Sequence, residues 1–502
     1  MPDRPTVEER LDVIVIGAGM SGIAAGHQLV TEHPASTFVI LEARDAIGGT
    51  WDLFRYPGIR SDSDLHTFGY DFKPWRSPDT IAEASQILTY LGETVDDDHL
   101  AAHIRLRHRV IGANWDSDQA RWLVEVERPD SADQRQTTRI VLAARWLFCG
   151  AGYYRYDEGY TPAFPGRDRF AGPIVHPQHW PHDLDLADQH VVVIGSGATA
   201  VTLVPALADL AGHVTMLQRT PTYVISIPRR DALAHTLRRV LGDDRGHRWA
   251  RRKNLTTQRI FIEACRRSPN AARRWIRHMT IKSLPPGYPV DEHFNPPYRP
   301  WDQRLCMAPD GDLFRVISDG RADIVTDRIS TFTEAGLLLE SGTHLDADVI
   351  VTATGLHVQL LGGIALAVDG RPVDLADQVA YRGAMLTGVP NFVVALGYTT
   401  QPWTLKLGPL LAYTTALIRE LDARNADAVW PLAPAGMPTR PLLSFGAGYI
   451  QRALDRMPRQ GLTDPWIAPS TSWEDRQLRK PAIDGHLQFA SRAGALRDAL
   501  LR

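Results

Sequence analysis

A glycine-rich loop near the start of the chain sets the first constraint on its fold. The apolar, β-branched run of residues 12–16 leads directly into the G-x-G-x-x-G spacing of residues 17–22, and residues 23–30 follow with a helical pattern. In a strand–loop–helix unit of this kind, Gly17 makes the tight turn, Gly19 admits a pyrophosphate and Gly22 lets the helix pack closely on the strand. The sequence therefore predicts an α/β unit that binds a dinucleotide at the N-terminus of this helix.

An acidic residue on the next strand narrows the nucleotide. Residues 38–41 form an apolar run, and Glu42 follows it, twenty positions after Gly22. A carboxylate at this place accepts hydrogen bonds from the adenosine ribose and repels a 2′-phosphate. The first loop is therefore predicted to bind FAD or NAD and to disfavour NADP.

A second loop of the same kind follows the apolar run 189–194, with alanine in its third glycine position. Here the strand after the helix, residues 214–217, leads to Arg219 where the first unit has an acid. A guanidinium can make two charge-assisted hydrogen bonds to a 2′-phosphate, so this loop is predicted to bind NADPH. The alternative for Arg219 is a solvated surface residue. The candidate nucleotide contacts of this loop are Gly195, Gly197, Thr199, Arg219 and Thr220.

Composition limits the classes of protein that can carry two such loops. A length of 502 residues exceeds a single core, and the apolar share of 44% is ordinary for a globular protein. A net charge of −3 gives no field that would recruit nucleic acid. The three cysteines are far apart in sequence, so we expect neither a disulfide framework nor a structural metal site. We therefore expect the protein to be located in the reducing cytoplasm.

Two stretches carry a resemblance to a known family. Gly49 and Trp51 belong to a G-G-x-W motif, and an R-Y-P-G motif leads on to Asp62; this arrangement resembles flavin-dependent monooxygenases, where it helps to enclose FAD. The resemblance therefore implies FAD at the first loop. Further along, the spacing F-x-G-x-x-x-H-x-x-x-W is similar to the fingerprint of type I Baeyer–Villiger monooxygenases. Its four positions are Phe170, Gly172, His176 and Trp180.

Several sequence segments narrow the resemblance to one subgroup. RYPGIRSDSD, HPQHWP and MLQRTPTY are most similar to the subgroup of ethionamide-activating monooxygenases. Arg304 in WDQRLC matches the active-site arginine of the family. Gln303 stands where better-known members have a lysine, which implies that the preference for NADPH rests on Arg219.

The resemblance implies a reaction as well as a fold. Baeyer–Villiger monooxygenases convert ketones to esters or lactones with NADPH and dioxygen through a C4a-peroxyflavin, and thioethers or thioamides are further substrates. In this picture Arg304 stabilises the peroxyflavin anion and Asp62 orients Arg304. His176 is interpreted as a linker residue that couples domain movement to catalysis. The alternatives are a flavin monooxygenase that acts mainly on sulfur or nitrogen, and a non-catalytic flavin sensor.

The order of the motifs predicts two Rossmann-like domains joined by two crossings, with a helical insertion. Arginine pairs in the insertion indicate solvated helix faces, with weak peripheral contact to a membrane surface or to phosphate as the alternative. The oligomeric state stays open. The predicted segments are the FAD domain at 1–152 and 383–502, the NADPH domain at 153–224 and 301–382, and the insertion at 225–300.

Replacing Arg304 by alanine tests its predicted role. We expect Arg304→Ala to retain normal reduction of the flavin by NADPH and to lose oxygenation, because a fixed positive charge in a dry site stabilises developing negative charge. Stopped-flow reduction and product analysis measure the two steps separately. Retained ester formation would remove Arg304 from this role.

Overall fold

Two sheets, each built around a strand–loop–helix–strand unit, organise the chain. The structure is a computed structural model and describes residues 6–130, 133, 136–303, 305–443, 446–478 and 483–491. Within these residues, the α/β class with two Rossmann-like units is confirmed by parallel strands that flank each glycine loop.

The first sheet has a parallel centre and an antiparallel extension. The first strand, Val7–Ile16, pairs in parallel with Phe38–Leu41 on one side and with Thr137–Cys149 on the other. The long strand Thr137–Cys149 also pairs antiparallel with Arg121–Pro129 over its first part and parallel with Phe392–Val394 at its end. The other strands of this sheet are Ile104–Arg105, Arg109–Asp116, Ala365–Val368 and Arg371–Pro372.

The second sheet repeats this plan in a smaller form. It has five parallel strands, and a separate three-stranded antiparallel sheet is inserted in the chain between its strands Ala322–Thr326 and Val349–Thr352. The parallel strands are Ile174–Val175, His190–Ile194, His213–Gln218, Ala322–Thr326 and Val349–Thr352, and the antiparallel strands are Ile329–Thr333, Gly336–Leu339 and His344–Asp346.

Helices cover the faces of both sheets. Met20–Glu32 packs against Leu407–Ala423 on the first unit, and Ala198–Leu207 packs against Asp312–Ser318 on the second. Outside the insertion, the structure also has the fourteen-residue helix Ala84–Asp97 and the short helices Thr50–Leu53, Leu65–Phe68 and Gly448–Gln451. Short strands outside the two sheets are Val224–Ile227, Cys306–Pro309, Ala380–Tyr381, Met385–Leu386, Ala428–Pro431, Thr439–Pro441, Arg459–Gly461 and Leu487–Ala490.

The predicted helical stretch at 225–300 is largely helical in the structure. Two of its helices, Ala232–Leu241 and Asp243–Arg267, pack against each other as a hairpin. Pro269–Lys282 and the short helix Val290–His293 follow. Across the part of the chain that the structure describes, none of the helices combines the length and the apolar character needed to traverse a lipid bilayer.

The chain returns to the first sheet earlier than the predicted limit at residue 383. Strands Ala365–Val368 and Arg371–Pro372 lie in that sheet, where Ala365–Val368 pairs in parallel with Arg109–Asp116. They fall inside the range assigned above to the NADPH domain. The pattern of a short strand does not show which of two similar sheets it joins, because the pairing is non-local. The limits of the domains stay a prediction.

The two crossings between the sheets form a single ribbon. Tyr154–Gly159 carries the chain from the first sheet to the second, and Leu356–Val358 carries it back. These two strands pair antiparallel with each other. Hydrogen bonds from Gln359 N to Tyr153 O (2.9 Å) and from Tyr160 N to Gly355 O (3.0 Å) extend the pairing at both ends.

His176 and Gln178 hold the two strands of this ribbon from the second sheet. The His176 Nε2 donates to Gly355 O at 3.1 Å, and its Nδ1 accepts from Gln178 N at 3.1 Å. The buried Gln178 side chain donates to Arg155 O (2.9 Å) and Tyr156 O (2.8 Å) on the other strand. Burial lowers the pKa of His176, so the imidazole is neutral at neutral pH and acts as a hydrogen-bonding link.

A methyl group at Gly159 would remove this link. Its Cβ would lie 2.0 Å from Cε1 of His176, so we expect Gly159→Ala to displace the imidazole from Gly355. Loss of that hydrogen bond should speed amide hydrogen exchange in residues 154–159 and 356–358 by up to about tenfold. Mass spectrometry of exchanged peptides measures the effect.

Gly92→Ala is the matched control for this exchange experiment. It adds the same methyl group where no heavy atom lies within 4 Å, so exchange in the ribbon should not change. Equal exchange in Gly159→Ala and the wild-type protein would show that His176 does not hold the ribbon.

Candidate active site

Glycine turns from distant parts of the chain meet at one end of the first sheet. A Cβ on Gly22 would lie 1.7 Å from Gly17 O, and a Cβ on Gly17, whose φ is +90°, would lie 3.0 Å from Gly150 O. Gly48 N donates to Ala18 O at 3.0 Å. Side chains are excluded from these contacts, so this end of the sheet presents bare backbone.

Glu42 lies beside this backbone with its carboxylate held in place. Its Oε2 accepts from Ala18 N at 2.7 Å and its Oε1 from Arg44 N at 2.9 Å, and the residue is buried. Each carboxylate oxygen has a further lone pair for another donor. The acid that the spacing singled out therefore lies next to the first glycine loop, in the place where a ribose would be recognised.

Asp52, which the sequence motifs did not single out, holds an arginine beside Glu42. It is buried, forms an ion pair with Arg44, and pairs with Arg55 at 2.8 Å. Arg44 is the residue whose backbone contacts Glu42. Asp52 thus fixes a positive side chain next to Glu42, and the residues W-D-L-F-R after the glycine turn were the signal that could have identified it.

A cavity of ≈460 Å³ opens at this end of the sheet. Its wall combines the first glycine loop and the turn at residue 49 with the start of helix Ala198–Leu207 from the second unit. One cavity therefore borders both nucleotide units. Predicted site residues on its wall are Gly17, Gly19, Glu42, Gly49, Trp51, Asp62 and Thr199.

Residues 56–60, which we call the strap, join the first unit to the second. Buried Tyr56 shares a side-chain hydrogen bond with Thr199. Gly58, with φ +76°, packs so closely on helix Ala198–Leu207 that a Cβ would lie 2.6 Å from Ala206 Cβ. Arg60 forms an ion pair with Asp312, and both side chains are largely buried. These partners are between 143 and 252 positions away in sequence, so spacing could not reveal them.

Tyr56 is an uncharged member of this strap. Burial raises its pKa to about 12, with a smaller rise from the nearby carboxylate of Asp62. The phenol is therefore neutral throughout the neutral range. It keeps its hydrogen for a partner such as Thr199 or a bound ligand.

Aromatic side chains form another part of the cavity wall. Trp403 donates from Nε1 to Ser21 Oγ at 2.8 Å and stacks on Tyr153 with 5.2 Å between ring centroids. The Tyr156 hydroxyl lies 3.3 Å from Thr50 Oγ1. Tyr153, Tyr154 and Tyr156 lie on the cavity wall, which no sequence motif indicated.

The second loop has the backbone shape of the first. Gly195 has φ +140°, and a Cβ there would lie 2.4 Å from Ala353 O. Gly197 has no heavy atom within 4 Å of its Cβ position, and it precedes helix Ala198–Leu207. Ser196 Oγ donates to Thr220 O at 2.9 Å. Arg219 follows its strand as an exposed residue, available to a phosphate at the surface.

The four fingerprint residues do not lie on the cavity wall that the structure describes. Phe170 is buried in a core cluster with residues of the second sheet, and a Cβ on Gly172 would lie 2.2 Å from Asp348 O. Trp180 packs on another cluster of the same unit. With His176 on the ribbon, these residues secure the second unit to its crossings.

Asp62 lies on the cavity wall, where Ser63 Oγ donates to its Oδ1 at 3.3 Å. Arg304 lies outside the described residues, so the pairing of these two residues stays a prediction.

Comparison with known proteins places this chain in a family. A family model described as flavin-binding monooxygenase-like matches residues 10–235. FAD-containing monooxygenase EthA of Mycobacterium tuberculosis is 46% identical over 488 residues, which cover 96% of this chain and 98% of the relative. Probable FAD-binding monooxygenase AlmA of Acinetobacter baylyi is 44% identical over 488 residues, covering 96% and 97%.

Solved structures share the fold at lower identity. The open crystal structure of cyclohexanone monooxygenase matches with a TM-score of 0.75 at 22% identity, and oxidized steroid monooxygenase bound to NADP matches with 0.73 at 21%. Each match covers 96% of this chain and 100% of the other. The sequence relatives confirm the resemblance inferred from the motifs: the chain belongs to the flavin-binding monooxygenase family, as an EthA-like member.

Proposed function

We propose that the protein is a Baeyer–Villiger monooxygenase that uses FAD and NADPH to convert ketones to esters or lactones, and that it also oxidises thioethers or thioamides at sulfur. The observation that carries the proposal is the single cavity bordered by both nucleotide units, with Asp62 on its wall. Transfer of a hydride from one nucleotide to the other requires a space that both nucleotides can reach.

The first unit fits FAD. Bare backbone at Gly17 and Gly22 leaves room for a pyrophosphate at the N-terminus of helix Met20–Glu32, and the Glu42 carboxylate has lone pairs for a ribose. Arg44, which Asp52 holds beside this acid, lies on the cavity wall. The aromatic wall at Tyr153 and Trp403 offers flat apolar surface for a ring system.

The second unit fits NADPH. The open space at Gly197 lets a phosphate approach the N-terminus of helix Ala198–Leu207. Arg219 supplies the positive charge for a 2′-phosphate. Thr199, two positions after Gly197, lies on the wall of the shared cavity.

When bound, FAD activates dioxygen and NADPH supplies the hydride. The residues of the chain position the reactants and adjust the charge of the cavity. Asp62 is proposed to orient Arg304, whose fixed positive charge stabilises negative charge that develops on the carbonyl oxygen of a ketone. The strap and the aromatic part of the cavity wall keep water away from the reacting atoms.

Product analysis tests this function. The FAD-loaded protein is incubated with NADPH, heavy-isotope dioxygen and either cyclohexanone, a linear methyl ketone or methyl phenyl sulfide. We expect a lactone or ester that carries one heavy oxygen atom, with the second atom leaving as water and one NADPH oxidised per product. Sulfoxide without ester would favour the sulfur- and nitrogen-directed monooxygenase. Absence of any NADPH-dependent oxygen consumption would favour a flavin sensor.

Gly58→Ala tests whether the strap serves the second nucleotide. The added methyl group would collide with Ala206 and separate Tyr56 from Thr199, so we expect the KM for NADPH to rise by about tenfold with FAD content unchanged. Steady-state kinetics and the flavin absorbance of the purified protein measure the two quantities.

Gly370→Ala is the control for backbone strain. Gly370 has φ +75°, close to the +76° of Gly58, but no heavy atom lies within 4 Å of its Cβ position. Its KM for NADPH should stay within about twofold of wild type, since it carries only the strain of a positive φ. An equal rise in both variants would attribute the effect to strain and not to the strap.

A further inference from the structure

The helical insertion concentrates positive charge in a chain that is weakly acidic. Residues 232–282 contain fourteen Lys or Arg residues and three acidic residues, whereas the whole chain has a net charge of −3. Of these basic residues, Arg245, Arg248 and Arg252 have no ion-pair partner among the residues that the structure describes. The insertion therefore presents uncompensated positive charge.

The same region holds most of the exposed apolar side chains. Eight of the twelve large apolar residues that are exposed in the described part of the chain lie in it, and the most exposed is Val240, at 74%. Isolated exposed apolar residues are normal on a protein surface, but their concentration in one segment indicates a contact surface. The eight are Leu233, Val240, Leu241, Trp249, Ile260, Trp275, Met279 and Ile281.

Helix Asp243–Arg267 has one face that contacts the body of the protein and an opposite face that is exposed to solvent. On the anchored face, Arg251 donates to the backbone carbonyl groups of His66 (2.9 Å) and Gly69 (3.0 Å), and Asn254 donates to the Asp64 carboxylate at 2.7 Å. This face packs on helix Leu65–Phe68. The orientation of the helix on the body of the protein is thereby fixed.

The opposite face carries apolar and positive residues together. At 100° per residue, Arg245, Trp249, Arg252 and Ile260 lie on the side away from Arg251. All four are exposed, with Trp249 at 54% and Ile260 at 65%. Arg252 lies over the Trp249 ring at 5.6 Å. A tryptophan bordered by arginines is typical of a helix that lies in the interface of a bilayer.

We infer that the outer face of this helical hairpin, which we call the insertion surface, binds the surface of an anionic phospholipid bilayer. Positive charge attracts the anionic headgroups, and Trp249, Ile260 and Val240 enter the boundary between headgroups and acyl chains. A polyanion such as nucleic acid would use the arginines but gains little from exposed isoleucine and valine. The inference does not depend on the reaction proposed above.

Vesicle flotation tests the insertion surface in the FAD-loaded full-length protein. Vesicles contain phosphatidylcholine alone or with about 30 mol% phosphatidylglycerol. We expect at least about tenfold stronger binding to the anionic vesicles, and release when NaCl is raised from about 50 mM to about 500 mM. Equal binding to neutral and to anionic vesicles would overturn the inference.

Two triple variants separate the charge from the apolar contribution. Arg245→Glu, Arg248→Glu and Arg252→Glu together should weaken binding by about 100-fold. Val240→Ser, Trp249→Ser and Ile260→Ser together should weaken it by about tenfold, because fewer apolar groups are buried. The circular dichroism and NADPH oxidation of both variants should match wild type, since all six side chains are exposed.

Matched controls carry the same changes elsewhere on the surface. Arg167, Arg371 and Arg440, each changed to glutamate, alter the net charge equally, and Leu210, Leu432 and Leu462, each changed to serine, remove similar exposed apolar area. Vesicle binding of both controls should stay within about threefold of wild type.

Three outcomes would overturn the inference. The first is equal loss of binding in the control and insertion variants. The second is tighter binding to duplex DNA than to anionic vesicles, unaffected by the serine variant. The third is a change in oligomeric state in the serine variant with no vesicle binding by the wild-type protein.

Discussion

Two side chains from one short stretch hold both connections between the nucleotide units. His176 contacts the returning strand at Gly355, and Gln178 contacts the outgoing strand at Arg155 and Tyr156. Since the outgoing and returning strands also pair with each other, the ribbon and the stretch that follows strand Ile174–Val175 form one connected hydrogen-bonded structure. The shared cavity depends on this, because its wall combines residues of both units and of the outgoing strand.

This arrangement gives the fingerprint a physical meaning. His176 is only partly exposed and both of its ring nitrogens are hydrogen-bonded to backbone groups, so it is unsuited to exchanging protons with a ligand. Its value lies in the pair of acceptor and donor atoms that an imidazole offers in fixed directions. Gly159 completes the contact by having no side chain where the ring lies. In this fold the fingerprint residues connect the second unit to its crossings.

The sequence predicted what depends on local spacing and missed what depends on tertiary approach. Both glycine loops, the acid at position 42 and the α/β class follow from patterns within about thirty residues, where strand, turn and helix constrain one another. Tyr56, Gly58 and Arg60 were visible as a motif, but their partners lie on a different unit. Trp403 reaches Ser21 across 382 positions, and no periodicity encodes such a contact. The pairing of the strand at residues 365–368 with the first sheet was not predicted for the same reason.

Arginine supplies most of the positive charge of the insertion: between residues 232 and 282, twelve of the fourteen basic residues are arginines. A lysine near other positive charges loses its proton readily, whereas a guanidinium stays charged under all conditions in which a protein folds. The positive character of the hairpin is therefore insensitive to alkalinity. Ionic strength, and not acidity, is the variable of the surroundings to which its long-range attraction responds.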